Sequence, residues 1–152
     1  MIKTKDNKIY KVDLLIKDRS ENSDEQIITN NPCLADKLIA DSEGIDTLGF
    51  CHNYALNIPH KSDFGEAFDY LVEHYKTIPI YKATEGDIIV FYDNPNGWGT
   101  PEHFARIYKT NGILKGTIIR SKWGLLGVYE TDLYHLPVEY GGYMEVWTKK
   151  GV

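Results

Sequence analysis

Two side chains in this sequence are of the types that together perform acyl transfer. One is Cys51, in Gly49-Phe50-Cys51-His52-Asn53-Tyr54-Ala55-Leu56, and the other is His103, in Glu102-His103-Phe104-Ala105-Arg106-Ile107-Tyr108. A thiol attacks a carbonyl as its thiolate, and at neutral pH it needs a base or an electropositive setting to become one. A cysteine in the first turn of a helix lies among unpaired amides that favour the thiolate and can hold a developing oxyanion. An imidazole on a strand has a rigid support, and a third polar group ordinarily fixes its tautomer. On the next expected strand, Arg120, Ser121 and Lys122 are the candidates, and Ser121 suits the role best, since a cationic Lys122 would orient an imidazolium poorly. Taken singly, each residue also has a plain structural reading: a buried cysteine packs as a small hydrophobe, and a strand histidine can be structural.

The surrounding patterns predict the elements that position these groups. Lys8 to Ile16 partly alternates and reads as a strand, and Asp18 to Asn31 is a polar surface loop. Pro32 to Ala40 has Leu34 and Leu38 at helical spacing, with Asn31 as a cap and Pro32 in the first helical position. Asp41 to Gly49 is a connection in which Asp46 or Thr47 can cap a short helix that starts near Phe50 and stops at Pro59. Asp63 to Tyr75 is amphipathic, with Phe64, Ala67, Phe68, Leu71, Val72 and Tyr75 on one face, Ser62 or Asp63 as cap and Glu66 at the third helical position.

Beyond Pro79 the pattern becomes that of strands. Ile88 to Tyr92 is a buried strand, His103 to Tyr108 a second and Gly116 to Trp123 a third, with Asn111-Gly112 a tight turn. Gly127 to Tyr129 and Gly142 to Thr148 supply more. Helices followed by antiparallel strands predict an α+β fold, a single domain over residues 1–152 with an N-terminal extension (1–31) and a core (32–152). His103 should share a strand face with Ala105 and Ile107. Trp98, in the loop Asn94 to Pro101 before His103, is placed either to cover a substrate or to anchor the loop on the sheet, and anchoring is favoured. Trp123 is either a core residue or a wall of the site.

The order of these motifs resembles the NlpC/P60 and CHAP superfamily of papain-like cysteine peptidases and amidases. In that family a cysteine at a helix N-terminus precedes a Gly-Asp-apolar-Phe strand, matched here by Gly86-Asp87-Ile88-Ile89-Val90-Phe91. A histidine then opens the next strand, as in His103-Phe104-Ala105-Arg106-Ile107-Tyr108. The resemblance covers residues 50–123. Ser121-Lys122-Trp123-Gly124, with Gly127-Val128-Tyr129 and Pro137 to Gly141, is similar to a bacterial branch of these proteins. The resemblance implies a circularly permuted papain-like core and hydrolysis of amide bonds, often in cell-wall peptides, with Cys51 as nucleophile and His103 as base. The chain departs from the pattern in two ways: no His, Asn, Gln or acid fills the third position, and neither a signal peptide nor cell-wall-binding repeats are seen.

Composition narrows the partners. The chain has 152 residues, 42% hydrophobic and 26% charged, which is ordinary for one globular domain. Its eleven tyrosines and three tryptophans fit a sheet-rich second half. A net charge of −5 without a basic patch argues against nucleic acid. No apolar run approaches membrane-spanning length, so no membrane partner is expected, and the protein is expected in the cytoplasm or exported without an N-terminal signal. Two cysteines, Cys33 and Cys51, are expected to stay reduced, and the five histidines show no metal-ligand spacing.

The expected function is therefore a cysteine-dependent amide hydrolase or acyl transferase that needs no cofactor and acts on a peptide or other amide. Cys51, His103 and Ser121 would be its catalytic residues, and Trp98, Lys122 and Trp123 would line the substrate. Two alternatives stand beside it: a non-catalytic binding module of the same fold that keeps a buried Cys51, and an effector or toxin domain that modifies a protein and is matched by an inhibitor or immunity protein. A segment up to Asn31 that covered the cleft would restrain activity until removed.

Overall fold

A computed structural model of the protein describes residues 9–16, 38–40, 51–58, 63–99, 101–123 and 127–151. Its elements in chain order are β1 (Tyr10–Lys11), β2 (Leu38–Ala40), α1 (Cys51–Leu56), α2 (Phe64–His74), β3 (Tyr75–Ile78) and β4 (Ile88–Tyr92). They continue with β5 (His103–Lys109), β6 (Ile118–Lys122), β7 (Val128–Asp132) and β8 (Tyr143–Lys149). The strands form one sheet in the order β1-β8-β4-β5-β6-β7-β2, with β3 also on β8. Every ladder between these strands is antiparallel. The α+β class with an antiparallel sheet is thus as the sequence predicts.

β4 lies between β5 and β8, and all five of its residues are buried. A strand covered on both faces has no need of polar alternation, which is why Ile88-Ile89-Val90-Phe91-Tyr92 reads as an unbroken apolar run. Its odd residues, Ile89 and Phe91, enter one core with Ala105, Ile107, Ile119, Trp123, Tyr140 and Val146. Its even residues, Ile88, Val90 and Tyr92, enter a second core with Phe104, Trp147, Cys51, Ala55 and, from α2, Ala67 and Leu71. Both helices therefore lie on one face of the sheet.

The opposite face is covered by chain from the N-terminus. Val12, Leu14 and Ile16 are buried in the first core, while Lys11, Asp13 and Leu15 face outward. This alternation is that of the predicted first strand, although only Tyr10–Lys11 pairs regularly. Beyond it, single bonds from Val12 to the Gly142 carbonyl and from Leu15 to the Tyr134 carbonyl continue the attachment. Residues 9–16 thus place Val12, Leu14 and Ile16 in the first core.

Two elements differ from the sequence reading. Leu38–Ala40, expected in a helix, pairs with β7 at the sheet edge, Leu38 opposite Tyr129 and Ala40 opposite Val128. Three residues cannot separate a helical from an extended pattern, and the edge of β7 decides between them. Tyr75, expected as the last apolar residue of a helix, begins β3, which pairs with β8 from Lys149 to Val146. The capping of α2 is as predicted: Asp63 accepts a 2.8 Å bond from the Glu66 amide, and Ala67 and Leu71 are buried. The Phe64 side chain, Ser62, the loop 18–31, the helix start at Asn31 to Lys37, and the caps at Asp46 and Thr47 lie outside the described residues.

Candidate functional site

Cys51 is the first residue of α1, as its sequence setting predicts, and its side chain is buried at 5% exposure. The helix is short because Asn57 adopts a left-handed φ of +55°. The Ile58 amide bonds the Asn53 carbonyl and the Asn57 amide bonds the Tyr54 carbonyl. Those two bonds form the six-to-one and five-to-two pattern that ends helices, and asparagine tolerates the left-handed position that it requires. The stop therefore precedes Pro59, which lies outside the described residues.

α1 is fastened to β5 by Arg106. Its guanidinium donates to the Tyr54 carbonyl at 2.6 Å and to the Ala55 carbonyl at 3.3 Å, with its charge over the Tyr54 ring. A cation at these last carbonyls offsets the negative end of the helix. Sequence reasoning gave Arg106 no role. The signal was its place at i+2 from Phe104 on a strand whose even residues face the helices.

Lys122 is the charged group that the sheet brings to Cys51. It ends β6 with 1% exposure. Arg120 stands opposite Arg106 in the β5–β6 register, and continuing that register sets Lys122 opposite Phe104, on the Cys51 side. Burial pushes the Lys122 amine below the usual lysine range, and the negative charge available to Cys51 acts in the other direction. His52, also buried, meets the edge of the Phe104 ring with centroids 6.2 Å apart.

His103 does not join this group. It begins β5, as predicted, and shares a face with Ala105 and Ile107, also as predicted, but that is the face away from the helices. Its ring stacks on Tyr140 at 4.1 Å and 10° and lies 5.8 Å from the Phe91 ring, both of the first core. Strand alternation thus points the His103 side chain away from the face that Phe104 shares with Cys51. Burial pushes the imidazole down to about 3, so the ring is neutral at physiological pH.

Ser121 lies on the His103 side of the sheet but does not orient the ring. Its Oγ, the His103 Nε2, the Trp123 Nε1 and the Thr131 Oγ1 are all buried without a hydrogen-bond partner among the described residues. Trp123 is wholly buried in the first core, 4.9 Å from Tyr129 between ring centroids, so it is a core residue rather than a wall of the site. Trp98 is 70% exposed, which replaces the favoured expectation that it anchors its loop to the sheet. The loop is held by Asn94 instead, whose side chain accepts from the Asn96 and Trp98 amides and donates to the Trp98 carbonyl. Cys33 lies outside the described residues.

Glu145 is a further buried acid on the helical side of the sheet, and the sequence reading passed over it. It accepts from the Tyr92 hydroxyl at 2.8 Å and from the Trp147 indole at 3.3 Å. Next to that carboxylate, and buried itself, the Tyr92 phenol is pushed well above its ordinary range. Among the described residues no three His, Cys, Asp or Glu side chains converge as a metal site would require. No helix among them is long and apolar enough to cross a membrane. Comparison with known proteins finds no family model, no curated protein and no solved structure that matches this chain.

Proposed function

We propose that the protein is a cysteine-dependent acyl-transfer enzyme, an amide hydrolase or acyl transferase on a papain-like core of the NlpC/P60 kind, with Cys51 as nucleophile. The observation that carries this reading is the burial of Lys122 on the sheet face that holds Cys51, with an electrostatic interaction between the two. An ammonium taken out of water beside a thiol favours the thiolate, and that is the setting in which a cysteine becomes reactive.

In this reading the Cys51 sulfur bonds to the carbonyl carbon of a peptide or related amide. The tetrahedral intermediate then collapses with cleavage of the carbon–nitrogen bond, and the amine leaves with a proton. Lys122, placed on the same face, is the group suited to carry that proton. Water then splits the thioester to a carboxylic acid, or a second amine takes the acyl group. In this reading the Cys51 amide, at the first residue of α1, donates to the oxyanion. His103, whose side chain points to the opposite face of β5, is not the base in this geometry. Cell-wall peptides are the substrate class that the family resemblance suggests.

A second reading is a binding module of the same fold in which Cys51 only packs. The low exposure of Cys51 and the outward turn of His103 from it favour this reading. Incubation with a panel of small peptide amides, followed by acid quench and intact mass measurement, separates the two. The enzyme reading predicts turnover and an acyl adduct on Cys51, both lost in Cys51→Ala. Absence of adduct and turnover across the panel, with thiol alkylation no faster than that of a simple thiol, would contradict it.

A further inference from the structure

A cleft of about 170 Å³ opens beside the C-terminal end of α1, lined by Tyr54, Glu85, Arg106, Tyr108 and Arg120 among others. Arg106 on β5 and Arg120 on β6 stand directly opposite each other in the ladder, on the same face. Like charges in that relation repel, so the pairing has a cost that the fold must offset. Each arginine is partly accounted for. Arg106 gives Nε and one Nη to the carbonyls of Tyr54 and Ala55, and Arg120 gives Nε and one Nη to the Glu130 carboxylate at 3.0 Å. Their planes are fixed by aromatic rings, Arg106 over Tyr54 at 4.9 Å and Arg120 over Tyr108 at 3.7 Å.

What those contacts leave over is specific. Glu130 pairs with Arg120, and the bonds of Arg106 go to backbone carbonyls, so Arg106 has no ion-pair partner among the described residues. The second Nη of each guanidinium has no hydrogen bond among the described residues. Two pre-oriented donors from opposed strands, one of them on an arginine without an ion-pair partner among the described residues, match the two oxygens of a carboxylate. Glu85 lines the same cleft and forms no ion pair with either arginine among the described residues. A second negative charge in the cleft disfavours a dianion such as phosphate.

We propose that this cleft is a carboxylate-binding site, with Arg106 and Arg120 as the receptor. The ligand is a singly charged carboxylate, carried either by the free C-terminal end of a peptide or by a small organic acid. The site lies on the sheet face that bears Cys51, but it does not depend on Cys51 being a nucleophile.

Titration of the isotope-labelled protein by NMR tests this directly. The probes are N-acetyl-alanyl-alanine, its C-terminal amide, propionate and inorganic phosphate, each followed at the backbone amides of Arg106, Arg120 and Tyr54. Saturable shifts are expected with the free acid, at least tenfold weaker binding of the amide and of phosphate, and at least tenfold weaker binding of the acid by Arg120→Gln. The double variant Arg120→Gln, Glu130→Gln keeps a neutral hydrogen-bonded pair in place and leaves the net charge unchanged, so a loss shared by both variants reports the missing Arg120 guanidinium rather than an unpaired Glu130 or misfolding. Propionate binding as well as the peptide acid would assign the ligand to small acids, and weaker propionate binding would assign it to peptide ends. Equal binding of acid and amide, preference for phosphate, or an unchanged affinity in both variants would overturn the proposal.

Discussion

With its ring stacked on Tyr140 and its Nε2 unbonded, His103 stays neutral in the folded protein until the pH falls to about 3. In the unfolded chain the same imidazole takes up a proton below about pH 6.5. The unfolded state therefore binds more protons between those values, and stability is full above the unfolded value and is lost as the pH falls toward 3. At about 1.4 kcal/mol per pH unit, this group alone removes about 2–3 kcal/mol between pH 6.5 and pH 4.5. Asp132 acts in a lower window. Burial raises its carboxyl, but bonds from the His135 ring and from the amides of Tyr134 and His135 outweigh this and hold it below its usual value of 3.8. Urea midpoints of wild type should thus drop from pH 7 to pH 4.5, and His103→Phe should flatten that dependence. An unchanged dependence in the variant would place the titration elsewhere. The strand position of His103 was legible in its sequence pattern, and so was its company of Ala105 and Ile107. Which face of the sheet the helices would cover was not, because that is settled by packing far along the chain.

At the scale of elements, local signals told the truth where they sufficed alone. Asp63 and Glu66 mark the start of α2, the apolar run Ile88 to Tyr92 marks a strand covered on both sides, and Asn111-Gly112 marks a turn in which Gly112 takes a φ of +87°. β2 and β3 were not legible, since each is short and is extended only because β7 or β8 offers it an edge. Gly141 shows a similar dependence on a distant partner. Its φ is +92°, and an added Cβ would collide with the carbonyl of Tyr92, which only the folded sheet brings near. The N-terminal segment carries the clearest consequence. Val12, Leu14 and Ile16 are each no more than 5% exposed, and burial of such side chains contributes about 1.5–3 kcal/mol apiece. Deletion of residues 1–16 should therefore lower the thermal midpoint sharply or abolish cooperative unfolding, rather than release activity by uncovering a cleft. A truncated chain that melts like the full one with raised activity would contradict this placement.

Over the whole molecule, the sheet acts as a partition between two chemistries. One side holds a core in which His103, Ser121, Trp123 and Thr131 keep polar atoms buried without partners among the described residues. The other holds the helices, Cys51, Lys122 and the opposed arginines. A chain with a net charge of −5 thus concentrates three of its cations on one sheet face near the helix that bears the thiol. The sequence made Cys51 and its helix legible, because a short apolar segment after a polar stretch is a local signal. The partnership with Lys122 was hidden, because it depends on the register of β6 against β5 across a separation that no local pattern encodes. The measurement that bears most directly on the central claim is the rate of iodoacetamide alkylation of Cys51 against pH, in a Cys33→Ala background, compared with Lys122→Met and His103→Ala. The account predicts fast alkylation that persists well below pH 8, is lost with Lys122→Met, and survives His103→Ala. Slow alkylation with an ordinary thiol profile, indifferent to Lys122, would contradict it.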